Sequence, residues 1–152
     1  MKKTQKRLGN KGFSLVELIV VIAIMAVLVG VLAPTLIKNV EKSRKAKDEQ
    51  NLDTVKEAIV VALQDDAENG VYENLTTNGT DAIVIAGISG EVTFGSAVST
   101  ASINAVAENL STTYDASTKK LASVIKLTSK DYKSKTVKYT VSSAGAVTYK
   151  AE

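Results

Sequence analysis

The stretch KGFSLVELIVVIAIMAVLVGVLAPTLIK, residues 11–38, decides how the rest of the chain is read. From Leu18 to Ile37 it runs twenty residues without a charge. About twenty apolar residues is the length a helix needs to cross the hydrocarbon core of a bilayer. One acid, Glu17, sits at its start, and an acid in hydrocarbon costs about 2.5–3.5 kcal/mol unless it lies near an interface or finds a partner. As a plain anchor the segment would do better with valine there. As a secretory signal it is too long, and the small-residue cut that VLAP (31–34) offers would leave Pro34 directly after the break.

The N-terminal flank of the stretch is basic. The first twelve residues, MKKTQKRLGNKG, hold five bases and no acid. Without them, 14 of the 19 bases remain against 16 acids, a net of −2 instead of the whole-chain +3. The basic isoelectric point is therefore a property of the N-terminus and says nothing about nucleic acid. A basic flank of this kind is retained on the cytoplasmic side of a membrane. The chain has no Cys and no His, which excludes a disulfide framework and Cys or His metal sites. No spacing of carboxylates, serines or lysines points to a catalytic group.

On the C-terminal side of the stretch the chain reads as helix and then as strand. Residues 38–69 lack Pro and Gly and are rich in Lys, Glu, Ala and Gln. Leu52, Val55, Ile59 and Leu63, with Ala58 and Ala62, have the spacing of one buried helix face. Between Glu41 and Asn51 both charges are interleaved, which reads as a solvated face, with contacts to neighbouring subunits as the alternative. The helix is expected to run from about Ser14 to about Glu68, with Asn69 and Gly70 as its stop signal.

Beyond Gly70 the composition turns to Thr, Ser, Gly and Val, suited to strands and turns. Residues 82–88 fit a buried strand or a short helix, and 96–110 lean towards helix. Residues 121–128, 136–142 and 146–150 read as three strands joined in an antiparallel meander. Charge is sorted along this part: between Lys56 and Lys119 lie nine acids and no base, and from Lys119 onward eight bases and two acids. Either the two blocks pair within one fold, or opposite patches meet between subunits.

Taken together, a basic leader ending in Gly12, then Phe13, Glu17, an uncharged run and Pro34 closely resemble the type III signal of type IV pilins and the related pseudopilins. The resemblance covers residues 11 to about 37. It implies an α+β type IV pilin fold, in which a long N-terminal helix has an apolar, projecting first half and an amphipathic second half packed on a C-terminal antiparallel sheet. The implied divisions are a leader over 1–12, a transmembrane and filament-core helix over 13–37, its amphipathic continuation over 38–69, and a β-rich head over 70–152. The resemblance further implies cleavage between Gly12 and Phe13 by a prepilin peptidase, N-methylation of Phe13, no cofactor, and a single-pass stay in the cytoplasmic membrane before assembly. An assembly platform and ATPase would then build an extracellular helical homopolymer, a fibre for adhesion or motility.

On this reading Glu17 acquires a partner in the new amine of Phe13, on an adjacent subunit or four residues back on its own helix. Pro34 removes a bond to the carbonyl of Gly30, so a loosened turn is expected there. Two alternatives stay open: a pseudopilin of a type II secretion or DNA-uptake system, and a minor tip pilin that binds an unknown surface ligand. For the latter, lysines 126–138 with Tyr132 and Tyr139 interleaved would serve a nucleic-acid backbone. Many Gram-negative pilins close a C-terminal loop with two cysteines, which this chain lacks.

Overall fold

A computed structural model describes residues 12–64, 70–77, 83–87, 89–118, 120–122 and 125–152. The chain divides into two units at Asn39 and Val40. One helix, α1, runs over Leu15–Gln64, fifty residues. In the first unit its residues are exposed nearly all round, with Leu18, Ile22, Met25 and Leu32 each above half, and Phe13 ahead of it is 89% exposed. The expected helix end near Asn69 falls outside the described residues.

The second unit is an α+β head. The later part of α1 buries Leu52, Val55, Ala58, Ile59, Ala62 and Leu63, the stripe its spacing requires. This stripe belongs to one apolar cluster with the sheet residues Ile83, Ile85, Val92, Val137, Tyr139, Val141 and Val147. Among the described residues, two further helices come after α1: α2 over Val71–Thr77 and α3 over Thr100–Asn109. Ser99 caps α3, its hydroxyl accepting from the Ser102 amide at 3.2 Å. The Asn74 side chain ties α2 to that cap by accepting from the Ser99 amide at 2.8 Å.

Among the described residues the sheet has six strands: β1 (Ile83–Ala86), β2 (Val92–Phe94), β3 (Tyr114–Asp115), β4 (Lys120–Leu121), β5 (Thr136–Val141) and β6 (Val147–Ala151). Their spatial order is β3-β4-β2-β1-β5-β6, antiparallel throughout. Register aligns the inward residues: Ile85 lies opposite Val92 on one side and Val137 on the other, and Tyr139 lies opposite Ile83 and Tyr149. One face is thereby apolar, as the period of two in 136–142 predicts. The β5–β6 hairpin turns through Gly145, whose φ of +76° is the left-handed region glycine enters without strain.

Three expectations need correction. Of the strand expected over 121–128, residues 123 and 124 lie outside the described residues and the described part is strand only at Leu121, in β4, because the backbone farther on bonds elsewhere: the Ile125 amide donates to the Gly90 carbonyl and the Thr128 amide to Asp48. The meander fails for the same reason, since β5 pairs with β1 and not with β4. Residues 71–77, expected as strand or turn, form α2. The ambiguity over 82–88 resolves as strand β1 for the residues described, and the helix expected over 96–110 is α3.

Candidate processing and assembly segment

Gly12 and Phe13 lie outside α1, in non-helical backbone ahead of its first turn. Both are exposed, and a Cβ added at Gly12 would meet nothing within 4 Å. The peptide bond between them is thus open on this side of the chain.

The start of α1 explains itself locally. Ser14 stands at the capping position, and three residues on is Glu17, whose Oε2 accepts from the Ser14 amide at 3.0 Å. An acid that reaches back from the third helical position to the capping residue forms one half of a capping box, satisfying an amide that the helix leaves without a partner. Its negative charge also sits in the first turn, where the helix dipole favours it. The S-x-x-E spacing of Ser14 and Glu17 is legible in the sequence, although the apolar run that surrounds it is the stronger signal.

Gly30 and Pro34 both lie within α1, which continues through them in the single chain. A Cβ at Gly30 would meet nothing within 4 Å, so packing inside this chain does not require glycine there.

Sequence reasoning missed a second cluster, in the head. Asp48 is wholly buried, although its neighbours Lys47 and Glu49 are not. Its carboxylate accepts from the Ser129 amide at 2.7 Å and from the Thr128 amide at 3.0 Å, with the Thr128 hydroxyl at 3.3 Å. These amides open the turn over 129–134, so Asp48 caps that turn from about eighty residues away in sequence. Burial pushes the Asp48 carboxyl up, and the hydrogen bonds from Ser129 and Thr128 outweigh it, holding the group below the usual carboxylate range.

Flanking bonds extend the clasp. Glu41 accepts from the Lys130 amide, and Lys45 pairs with Asp131 at 2.8 Å. The 41–51 segment is therefore not simply a solvated face, because one edge of it fastens the 128–131 loop. Tyr132 and Tyr139 do not form a stacking platform either. Tyr139 is fully buried and donates to the Leu52 carbonyl at 2.7 Å, leaving no ring face for a base.

The architecture, a long N-terminal apolar helix with a C-terminal antiparallel sheet, is α+β and consistent with the type IV pilin fold. The model of a prokaryotic N-terminal methylation motif matches residues 7–33. Prepilin peptidase-dependent protein A of Clostridium perfringens (strain 13 / Type A) is 38% identical over 86 residues, 55% of this chain and 61% of the relative. The chain therefore spans about three-fifths of the length of that curated relative. No solved structure matches the chain. The methylation motif and this relative support the resemblance to the type IV pilin and pseudopilin superfamily that Gly12, Phe13, Glu17 and Pro34 carry.

Proposed function

We propose that the chain is the structural subunit of a type IV pilus, made as a prepilin, cut by a prepilin peptidase between Gly12 and Phe13, and methylated on the new amine of Phe13. The observation that carries this reading is the conjunction of an exposed, non-helical Gly12–Phe13 bond with a helix capped one residue later. A protease needs extended backbone, and the cap keeps the helix from growing back over the cut. Residues 13–37 then form the anchor and later the fibre core, 38–69 the amphipathic continuation, and 70–152 the head.

Polymerisation is the consequence of the exposed apolar surface of residues 15–37. This segment is long and apolar enough to cross a membrane, a test a signal sequence also passes. An apolar helix exposed on all sides needs lipid before assembly and other copies of itself afterwards. Once the cut is made, Glu17 faces a choice between the Ser14 amide in its own chain and the Phe13 amine of a neighbouring one. Burial among packed helices favours the charged partner, because an uncompensated carboxylate there is costly. The chain is a building block and not a catalyst.

Mass spectrometry of sheared surface fibres tests this reading. A main band that begins at methylated Phe13 supports it, and a product still carrying the leader contradicts it. Abundance separates a major pilin from a pseudopilin, since only the former dominates the fibre fraction.

A further inference from the structure

Among the described residues, one ion pair joins the acids that lie beyond Lys56 to the bases from Lys119 onward through a sheet contact: Lys120 with Glu91, at 2.8 Å. The other pairs there involve Asp131 or Glu152, which belong to the basic block itself. Among the described residues, internal pairing therefore leaves part of the sorted charge unused. Two patches on the head show where it lies.

The first patch is an open groove of about 440 Å³ beside α1, lined by exposed Lys47 and Lys126, half-buried Asn51, Leu110 and Ile125, and buried Val55. The Lys47 and Lys126 ammonium groups have no ion-pair partner among the described residues. The second patch is the stripe Glu49, Asp53 and Glu57 on α1, four residues apart and about 12 Å long at 1.5 Å per residue. Lys56 and the exposed Val61 border it. At 100° per residue, Lys47 and Asn51 lie about 140° around the helix from the centre of that stripe. One molecule thus presents a basic groove and an acidic ridge at the same level on different faces.

We propose that the acidic ridge of one copy of this chain docks in the basic groove of the next, so that α1 of each subunit is gripped by its neighbour's Lys47 and Lys126. The occupant is a second copy because the complementary charge and an exposed apolar side chain to meet Leu110 and Ile125, that of Val61, are both supplied by this same chain. Two different patches in contact make a heterologous interface, which repeats into a helix without being self-complementary. The contact rests on the fibre reading and assigns it one set of residues. Because charges at an interface act through orientation and exclusion of wrong registers, their main effect is on assembly rate and order.

The test uses charge reversal in the full-length chain, read as the yield of sheared fibres. Lys47→Glu with Lys126→Glu makes the groove repel the ridge, and Asp53→Lys with Glu57→Lys makes the ridge repel the groove. Each double variant should lower fibre yield about tenfold or more, since like charges placed face to face are strongly disfavoured. Co-expression of the two should restore fibres, because each variant's ridge then fits the other's groove. All four changes in one chain should restore them as well, which no general damage to folding would do. Normal fibres from either double variant, or no rescue by the combinations, would overturn the proposal while the wild-type fibre stands. An absence of wild-type fibres would overturn the fibre reading and this contact with it. The cysteine-free sequence supplies a second readout: Asp53→Cys with Lys126→Cys in one chain should cross-link fibres into a ladder, and cross-linked monomer alone would contradict the contact.

Discussion

At the scale of single residues, Asp48 and Glu17 are both acids in places that composition alone would call wrong, and each is there for amides. Replacing Asp48 by alanine strips the buried Ser129 amide and the part-buried Thr128 amide of their partner, at about 1–3 kcal/mol for each group left unsatisfied, so the head should lose about 2–6 kcal/mol in thermal or urea unfolding. The carboxyl of Asp48 is held below its ordinary value, near 3.9 in an unfolded chain. Its contribution is therefore fully present above that pH and is lost as the pH falls through the lower folded value. Stability of the wild type should drop below about pH 4, and Asp48→Asn should flatten that part of the profile. For Glu17, glutamine keeps the capping bond and loses the charge, whereas valine loses both. If the charge meets a neighbour's amine, Glu17→Gln should be cleaved normally yet fail to assemble; fibres from that variant would leave Glu17 with a capping role alone.

At the scale of elements, the close joints of the head set what each segment tolerates. Gly87 comes directly after β1 and donates to the Lys135 carbonyl at 2.9 Å, and a Cβ added there would collide with the carbonyls of Tyr132 and Lys135. Since backbone cannot give way as a side chain can, Gly87→Ala should destabilise the head by about 1–3 kcal/mol, measured as a fall in unfolding midpoint. Tyr139→Phe removes the bond to Leu52 and keeps the ring's packing, so a smaller loss of about 1 kcal/mol is expected. The later part of α1 and strands β5 and β6 were legible because their apolar spacing is set by burial against a single core. Residues 125–129 show the limit of that signal. Ile125, Leu127 and Ser129 alternate inward with Lys126 and Thr128 outward, as in a strand, but the Ile125 amide goes to Gly90 and those of Thr128 and Ser129 to Asp48. Periodicity reports which side of a segment is buried and not where its hydrogen bonds end. Asp48 was illegible for a related reason: its partners are eighty residues away, and nothing near it distinguishes it from the solvated charges around it.

At the scale of the whole molecule, the division of labour between the two units is chemical. The first unit offers apolar surface with one acid at its capped start, and the second offers a packed head whose sorted charges, among the described residues, are only partly paired inside it. Gly12, Phe13, Glu17 and the uncharged run up to Pro34 carry the resemblance within one short stretch of sequence, and the methylation motif matched over residues 7–33 falls on most of that stretch. The order of the strands was not legible in this way, because β1 and β5 meet across some fifty residues of intervening chain. The measurement that bears most directly on the central claim is the N-terminal mass of the subunit in purified surface fibres. The expected result is a chain that begins at Phe13 with a methyl on its amine; an intact leader, or fibres that lack the chain altogether, would contradict it.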